Sequence, residues 1–431
     1  MKSLKSKTFS LLRSSERLFK MDMIYLAKGG FWTTLSFIIN TATSIVAMIA
    51  FGNLLSKETY GIYNYLLSLG ASLSFLTFSG IGTAVMRAVA RGYENVVPLA
   101  LRLQLKYNLI AVSTVLAVAI YYGYKGNMVF AGSLAMLSLA YPIAEAFHMY
   151  VNILTGRKHF NTLTKITSIT AIASTTATVI TIFLTQNILI LISVYATMSL
   201  LPNIIAYSII TNGLIRTTPE PEQLQEMERT AFHITATGII GTAAKYIDKI
   251  LLFQIAGPAA LAVYGFAIAG PERLRSLMKG WGIIALPNLA KRSLGEIHYV
   301  VYRRIGFSVL IGALLSLAYF VFAPLLFKLF LPKYLDAIFY SQILSLGLIV
   351  APVIIYIGSI FAGQNMLRAT YALSTGSQII RIVLFVVFGW LWQIWGLIFA
   401  SLLSTLINAI YSVIVWEIET RRLIKKNEQP I

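Results

Sequence analysis

Long apolar runs separated by short polar breaks dominate the chain. About twelve runs are long enough to cross a bilayer, whose apolar core of about 30 Å needs about 20 helical residues. They lie near 29–55, 60–86, 103–123, 127–154, 162–184, 187–211, 230–255, 258–286, 302–326, 336–361, 369–391 and 393–416. These runs are too long and too uniformly apolar for barrel strands. The pattern therefore predicts an all-α integral membrane protein with about 12 transmembrane helices.

Composition supports this class and excludes others. Of 431 residues, 57% are hydrophobic and 12% are charged, and the mean hydropathy is +0.75. The net charge of +19 comes from cations at the span ends rather than on a compact soluble domain, so we expect no nucleic-acid partner. The chain contains no cysteine, which excludes a disulfide framework.

Lysines and arginines are distributed unequally between the two sides of the predicted spans. Both tails and the loops on their side carry 25 of them, and the opposite loops carry 4. Cytoplasmic segments are enriched in these residues. We therefore expect a plasma-membrane protein with both termini in the cytoplasm, a basic N-terminal segment at 1–28 and a cytoplasmic tail at 417–431. The absence of N-x-S/T sites indicates a prokaryotic source.

Residues 212–229 form the longest predicted connection. This segment is acidic, contains two prolines and has no apolar period, which is typical of a cytoplasmic linker. It divides the chain into spans 1–6 at 29–211 and spans 7–12 at 230–416.

The two halves contain similar segments at nearly the same offset. Residues 54–63 align with 255–264, and residues 80–91 align with 280–291. Two ordered matches indicate an internal repeat. Each match lies at the second span of its half, so the sequence predicts parallel repeats related by an axis along the membrane normal, with the substrate path between them.

Charged residues occur inside the seventh and eighth spans. They are Lys245, Asp248 and Lys249 on the first of these, and Glu272, Arg273, Arg275 and Lys279 on the second. A charge at bilayer depth costs at least about 2.5–3.5 kcal/mol and rarely faces lipid. The helical spacing places most of them on shared faces, so we expect a basic, water-filled cavity. The alternative is structural ion pairing of Asp248 with its flanking lysines and of Glu272 with Arg275.

Other charged residues extend the list of candidates. Arg381 lies in the middle of the eleventh span, where a cavity role is expected. Arg87 and Arg91 end the second span and either reach the inner headgroups or guide substrate phosphates at the entrance. Glu145 and His148 follow Pro142 on the fourth span, and they form either a protonatable pair for ion coupling or polar packing.

No motif of a nucleotide-binding or hydrolytic enzyme is present. P-loop, HExxH, GxSxG and CxxC patterns are absent. We therefore expect a protein that is not an enzyme, with no cofactor or bound metal. Asp248 joins Glu145 and His148 as a candidate for coupling to Na⁺ or H⁺.

Three stretches carry a resemblance to a known family. They are AKGGFWTTLSFIINTATSIVAMIAFGNLLSKETYGIYNYLLSL, SGIGTAVMR and YIDKILLFQIAGPAALAVYGFA. Together they resemble the lipid-linked oligosaccharide flippases of the polysaccharide transport branch of the multidrug/oligosaccharidyl-lipid/polysaccharide exporter superfamily. The resemblance implies two six-helix lobes in a V around a central cavity. It also implies transport of undecaprenyl- or dolichyl-pyrophosphate-linked oligosaccharides from the inner to the outer leaflet.

The basic cavity agrees with that implication. Lysine and arginine pair with phosphates through charge-assisted hydrogen bonds, and they lower the barrier to moving a charged headgroup through hydrocarbon. The expected function is flipping by alternating access for polysaccharide biosynthesis or export, with a lipid-linked oligosaccharide and membrane lipids as partners. A multidrug or cation antiporter is the alternative and would need an acidic cavity. A membrane glycosyltransferase or polymerase would need a sizeable catalytic loop.

Overall fold

A computed structural model describes residues 23–73, 76–213, 218–290, 294–364 and 366–427. Side chains are described for 29–73, 76–213, 218–236, 238–279, 294–364 and 366–423. The predicted basic segment 1–28, the repeat segment 280–291 and most of the predicted tail therefore lie outside the residues whose side chains are described.

The described chain is helical, with no strand among these residues. Its helices are α1 Met23–Leu54, α2 Lys57–Leu73, α3 Gly80–Ala90, α4 Val97–Tyr124, α5 Met128–Phe147, α6 Met149–Gly156, α7 Phe160–Leu184, α8 Ile188–Thr211, α9 Pro221–Lys245, α10 Ile247–Ala290, α11 Leu294–Phe330, α12 Ala337–Ser345, α13 Ala351–Gly363 and α14 Leu367–Asn427. Short 3₁₀ turns occupy Glu94–Val96, Pro332–Tyr334 and Leu346–Leu348.

Local sequence signals explain several helix starts. The side chain of Asn127 accepts a hydrogen bond from the backbone N–H of Phe130 at the start of α5, and Asn187 does the same for Leu189 at the start of α8. Both side chains satisfy an N–H group that has no partner within its helix. Helix α9 begins at Pro221 with Glu222 in its first turn, where a proline and an acidic residue are favourable. It thus starts inside the segment predicted as linker.

Helices α10 and α14 each contain a reversal of chain direction. Gly257 has φ 80° within α10, and Gln393 has φ 50° within α14. Tyr264 lies hydrogen bonded to Asp248, sixteen residues before it. In a continuous helix these residues would be separated by about 24 Å at 1.5 Å per residue, so the chain folds back at Gly257, as the predicted break requires.

The number of spans is confirmed at about twelve. Nine helical stretches of the described chain are long and apolar enough to cross a membrane. Two of them, Gly238–Lys279 and Leu367–Leu423, contain the chain reversals, so each of these two stretches corresponds to two membrane spans. Helices α2 and α3 together occupy the predicted second span. The chain is therefore an all-α multi-pass membrane protein, as its apolar pattern predicts.

Among the described residues, the first compact unit comprises 23–50 and 76–236 with the gap after 213. Within it, α4 packs on α5, α5 on α8, and α3 on α6. The buried Asn108 connects two of these elements, because its side chain accepts from the N–H of Phe78 and donates to the carbonyl of Pro142. A buried amide satisfied on both sides fixes its neighbours in one arrangement.

An arginine–carboxylate pair stabilises the segment that precedes α7. Arg157 donates from Nε and Nη2 to the two carboxylate oxygens of Glu94, both at 2.7 Å, and Nη1 lies 3.3 Å from the carbonyl of Ile210. Through these hydrogen bonds Glu94 raises the pKa of the Arg157 guanidinium. A bidentate pair of this kind is stronger than a single surface contact.

The second unit comprises the described residues of 51–73 and 237–427. Helix α2 packs on α10, which also contacts α13 and α14. The ring of Tyr65 stacks on Phe253 at 3.8 Å, and Gln254 donates to the Tyr65 hydroxyl at 2.7 Å. Lys57 pairs with Asp336 at 2.7 Å. These contacts join a segment from early in the chain to the later helices.

The compact units and the predicted lobes divide the chain differently at two places. The sequence predicts that the linker at 212–229 separates 29–211 from 230–416, and that division stays a prediction. The packing groups 51–75 with the second unit, because the apolar face of α2 is covered by α10. Residues 218–236 group with the first.

Candidate functional site

The reversal near Gln393 divides α14 into a first arm before it and a second arm after it. A cavity of about 230 Å³ lies among α10, α13 and both arms of α14, inside the second unit. Its walls combine charged, hydroxyl, amide and apolar side chains. They are Ile268, Glu272, Arg275, Lys279, Ala351, Ile354, Ile355, Ser377, Gln378, Arg381, Ser401, Ser404, Thr405 and Asn408. The cavity thus brings four of the predicted charged residues together.

One face of α10 supplies three charged residues to this cavity. Glu272, Arg275 and Lys279 recur at i, i+3 and i+7, which places them on one side of a helix. The guanidinium of Arg275 donates from Nη2 to the hydroxyl of Thr405 at 3.2 Å. No ion pair within 4.0 Å joins Glu272 to Arg275 among the described side chains, so the predicted structural pairing of these two is absent there.

Arg381 enters the cavity from α14. Its Nη2 lies 3.9 Å from the Oδ2 atom of Asp248, and its guanidinium lies 5.1 Å from the ring centre of Phe385. The Nε atom is buried and makes no hydrogen bond to the side chains or backbone that the structure describes. Arginine has five N–H donors, so Arg381 keeps unused donor capacity at the cavity wall.

Asp248 lies behind Arg381 and is only 2% exposed. Its Oδ2 accepts a hydrogen bond from the hydroxyl of Tyr264 at 2.9 Å, and its Oδ1 accepts from the N–H of Lys249. A buried carboxylate requires such partners. They are a tyrosine and an arginine distant in sequence, and not the flanking lysine side chains that the alternative interpretation named.

Three predicted residues lie outside the lining of this cavity. Lys245 is exposed and places its ammonium group 5.2 Å from the ring centre of Tyr246. Lys249 is half-buried and its Nζ lies 3.4 Å from Oδ1 of Asn64. Arg273 is exposed beside the charged face of α10. Helical spacing predicts which residues share one face of a helix, but it does not predict which other helix packs against that face.

Arg87 and Arg91 line a separate small cavity of about 40 Å³ in the first unit, beside α9. Both side chains are exposed. Arg91 forms an ion pair with Glu226 at 2.6 Å. The guanidinium of Arg91 is therefore paired with a protein carboxylate at this position.

Glu145 and His148 line a third cavity, of about 220 Å³, in the first unit. The spacing i, i+3 places both on one face of the helical path that runs from α5 into α6. Gln104 contributes to the same cavity, and its Oε1 atom is buried with no hydrogen-bond partner in the described part of the chain. The cavity thus combines two titratable side chains with an unused acceptor oxygen.

The uncharged polar wall of the cavity in the second unit is not among the residues predicted from the sequence. Ser401, Ser404, Thr405 and Asn408 recur at i, i+3, i+4 and i+7 along the second arm of α14. The helical spacing of these polar residues on an otherwise apolar span is a sequence pattern from which a polar face could have been predicted. Across the described residues, no group of three or more histidine, aspartate or glutamate side chains could hold a metal ion.

Comparison with known proteins gives one family and one fold. A family model described as polysaccharide biosynthesis protein matches residues 26–269, more than half of the chain. No curated protein matches the chain in sequence.

Several solved structures are similar to this chain in fold, with sequence identities of 14–16%. One, described as the inward-facing conformation of a multidrug resistance MATE family transporter of the MOP superfamily, is 15% identical, and the alignment covers 93% of this chain and 100% of that one with a TM-score of 0.68. An outward-facing conformation of such a transporter is 16% identical over 93% and 96%, with a TM-score of 0.58. A MOP superfamily transporter from Pyrococcus furiosus is 14% identical over 94% and 96%, with a TM-score of 0.60. At these identities the likeness is one of fold.

Proposed function

Because the chain belongs to the polysaccharide biosynthesis protein family and has the fold of transporters of the MOP superfamily, we propose that it flips a polyprenyl-pyrophosphate-linked oligosaccharide from the inner to the outer leaflet by alternating access. This transport would serve polysaccharide biosynthesis or export. The protein acts in the plasma membrane of a prokaryotic cell with both termini in the cytoplasm.

The basic cavity of the second unit carries this proposal. Arg275, Lys279 and Arg381 face one lining carboxylate, Glu272, which gives the four groups a formal net charge of +2. A pyrophosphate brings at least two negative charges that are costly to desolvate without partners. Charge-assisted hydrogen bonds from guanidinium and ammonium groups lower that cost. The side chain of Arg381 lines the cavity and is 29% exposed, so its guanidinium can take part in such bonds.

Lys245, Lys249 and Arg273 stay candidates for holding the anion although they lie outside the cavity lining, and Asp248 stays a candidate for tuning that charge. Arg87 and Arg91 remain candidates for guiding the phosphates at the cytoplasmic entrance, and Arg91 would then exchange Glu226 for the substrate. The partners in this scheme are the lipid-linked oligosaccharide and the surrounding lipids. No cofactor takes part.

The energy for the cycle comes from Na⁺ or H⁺ in this proposal. Glu145 and His148 line one cavity of the first unit together with Gln104, and they are the candidates for this coupling there. Asp248 is the candidate in the second unit, since its carboxylate lies 3.9 Å from the guanidinium of Arg381, which lines the basic cavity.

A multidrug or cation antiporter is the alternative, because the similar structures include multidrug resistance transporters. A site for cationic drugs needs excess negative charge, whereas the four charged groups here sum to +2. The Pyrococcus furiosus transporter is described as having a binding pocket of reverse polarity that suggests a different function. Pocket polarity is thus the property that separates the two hypotheses.

Translocation of a fluorescent polyprenyl-pyrophosphate oligosaccharide in proteoliposomes tests the proposal. Arg275→Ala and Lys279→Ala should each reduce the rate about 10- to 100-fold, since a hydrogen bond to a charged group contributes about 1.5–3 kcal/mol. Arg303→Ala is the matched control, because Arg303 is exposed on α11 and does not line the cavity.

The two hypotheses predict different results for this assay. Unchanged translocation in both cavity variants would contradict the flippase. Uptake of a cationic dye that depends on Glu272 would support the antiporter instead.

A further inference from the structure

One carboxylate lines the cavity of the second unit together with three cations. Arg275, Lys279 and Arg381 each carry a positive charge, and Glu272 carries a negative one. Among the described side chains, no salt bridge of 4.0 Å or less joins Glu272 to any of these cations. Glu272 is therefore not one half of an ion pair there, although it lines the same volume as the cations.

The surroundings of Glu272 allow it to stay ionised without a protein partner. Its side chain is exposed. Together with Arg275 and Thr405 it also lines a second, smaller cavity of about 30 Å³, which has room for water. A carboxylate that keeps its water does not incur the cost of a buried, unpaired charge. Glu272 thus adds negative charge to a wall whose other charged groups are cations.

The lipid-linked substrate of the proposed function is a pyrophosphate diester, because one phosphate is bonded to the polyprenol and the other to the sugar. Each phosphate of a diester has one ionised oxygen, so the headgroup carries two negative charges. Removal of the sugar leaves a pyrophosphate monoester, whose terminal phosphate has a second ionisation with a pKa of about 6. The carrier without sugar therefore approaches three negative charges near neutral pH.

The charge of the cavity matches the diester. The four lining groups sum to +2, which balances the two charges of a diester. Asp248 is not part of the lining, since it is only 2% exposed and lies behind Arg381. A monoester leaves one more negative charge to be balanced, and an unbalanced charge at bilayer depth is costly. Repulsion by Glu272 increases with the charge of the ligand, so it acts more strongly on the monoester.

Resting on the proposed function, we propose that Glu272 is a specificity-determining residue through which the cavity selects a pyrophosphate diester over a pyrophosphate monoester. Its carboxylate opposes the third negative charge, which the three cations alone would attract. The polyprenyl carrier from which the sugar has been removed is thereby excluded. A carrier that has delivered its sugar at the outer leaflet then does not compete with the sugar-bearing carrier for this cavity.

The test compares two ligands that differ by one methyl group and one charge. Dimethyl pyrophosphate with a methyl group on each phosphate is the diester, and methyl pyrophosphate is the monoester. Titration calorimetry on the full-length protein in detergent measures both at about pH 8, where the terminal phosphate is doubly ionised. The wild type should bind the diester more tightly. Glu272→Gln removes the charge at nearly constant shape, so the monoester should gain about tenfold in affinity relative to the diester.

Glu58→Gln is the matched control, since Glu58 is an exposed residue of α2 in the second unit and does not line the cavity. It should leave the ratio of the two affinities unchanged. Glu272→Asp keeps the charge and should keep the preference for the diester, which separates the effect of charge from that of packing. An equal ratio in Glu272→Gln and the wild type would overturn the inference, and so would tighter binding of the monoester by the wild type.

Failure here is distinguishable from failure of the proposed function. If Arg275→Ala weakens the binding of both ligands but Glu272→Gln leaves their ratio unchanged, the phosphate site remains and the selectivity assigned to Glu272 is rejected. If Arg275→Ala and Lys279→Ala change neither binding nor translocation, the flippase proposal itself is rejected.

Discussion

The hydroxyl of Tyr264 donates a hydrogen bond of 2.9 Å to the carboxylate of Asp248 across the reversal at Gly257. Both residues are buried, with exposures of 0% and 2%. The bond joins the two arms of α10 and holds Asp248 where its Oδ2 atom lies 3.9 Å from Nη2 of Arg381. The side chain of Tyr264 therefore connects the reversal at Gly257 to the buried Asp248 and, through Asp248, to Arg381 in the cavity wall.

Removal of that phenol should lower stability. Tyr264→Phe keeps the ring and deletes one partner of a buried carboxylate, so we expect a loss of about 1–3 kcal/mol. Thermal unfolding of the purified protein in detergent measures it. Tyr299→Phe is the control because Tyr299 is 90% exposed; equal melting temperatures for both variants would contradict the prediction.

Loss of the Asp248 charge should change anion binding in the opposite direction to loss of Arg381. Asp248→Asn removes the anion beside Arg381 and leaves the guanidinium without a counter-charge, so pyrophosphate should bind several-fold more tightly. Arg381→Ala should weaken binding. Titration calorimetry with inorganic pyrophosphate measures both, with Glu222→Gln, an exposed carboxylate on α9, as the control. Weaker binding in Asp248→Asn would show that Asp248 acts only by holding the fold together.

The apolar pattern predicts the spans because each segment must be apolar along its own length to lie in lipid, whichever helices it packs against. It identified the reversal at Gly257 as well as the one near Gln393, where the eleventh and twelfth spans meet. The partners of Asp248 could not be identified this way, since i, i+3 and i+4 spacing finds neighbours on one helix only. Tyr264 and Arg381 reach it through tertiary packing.

The candidate site was predicted in part for the same reason. Cations are conspicuous in an apolar span, so the sequence singles out Arg275, Lys279 and Arg381, which the structure places at one cavity. Asn408 and the serines beside it are uncharged, and hydroxyl groups in spans commonly bond to their own helix. Their position against the cations depends on how the arms of α14 pack on α10.

Two arginines of the first unit should differ in their effect on stability. Arg157→Ala removes a two-bond pair with Glu94 that is partly buried, and we expect a loss of about 2–3 kcal/mol. Arg91→Ala breaks an exposed pair with Glu226, which contributes about 0.2–1 kcal/mol. Thermal unfolding of the two variants should rank Arg157 above Arg91, and the reverse order would contradict this assignment.

Close packing of α2 on α10 should make Gly61 intolerant of substitution. A methyl group added there would overlap the backbone carbonyl of Pro258, so Gly61→Ala should cost about 1–3 kcal/mol from overpacking. Gly30→Ala is the matched control, since nothing lies within 4 Å of a methyl group at that helical position. Yield and melting temperature of the purified variants measure the effect. Normal behaviour of Gly61→Ala would mean that α2 does not pack on α10 as closely as described.

The attachment of α2 to the later helices has a consequence for biosynthesis. Tyr65 and Gln254, which hold each other across this contact, are 189 residues apart in the chain. At about 5–20 residues per second a ribosome takes about 10–40 s to cover that distance. During this interval the part of α10 that packs on α2 has not yet been synthesised. We therefore expect membrane chaperones and quality-control proteases to act on nascent chains that end before Phe253.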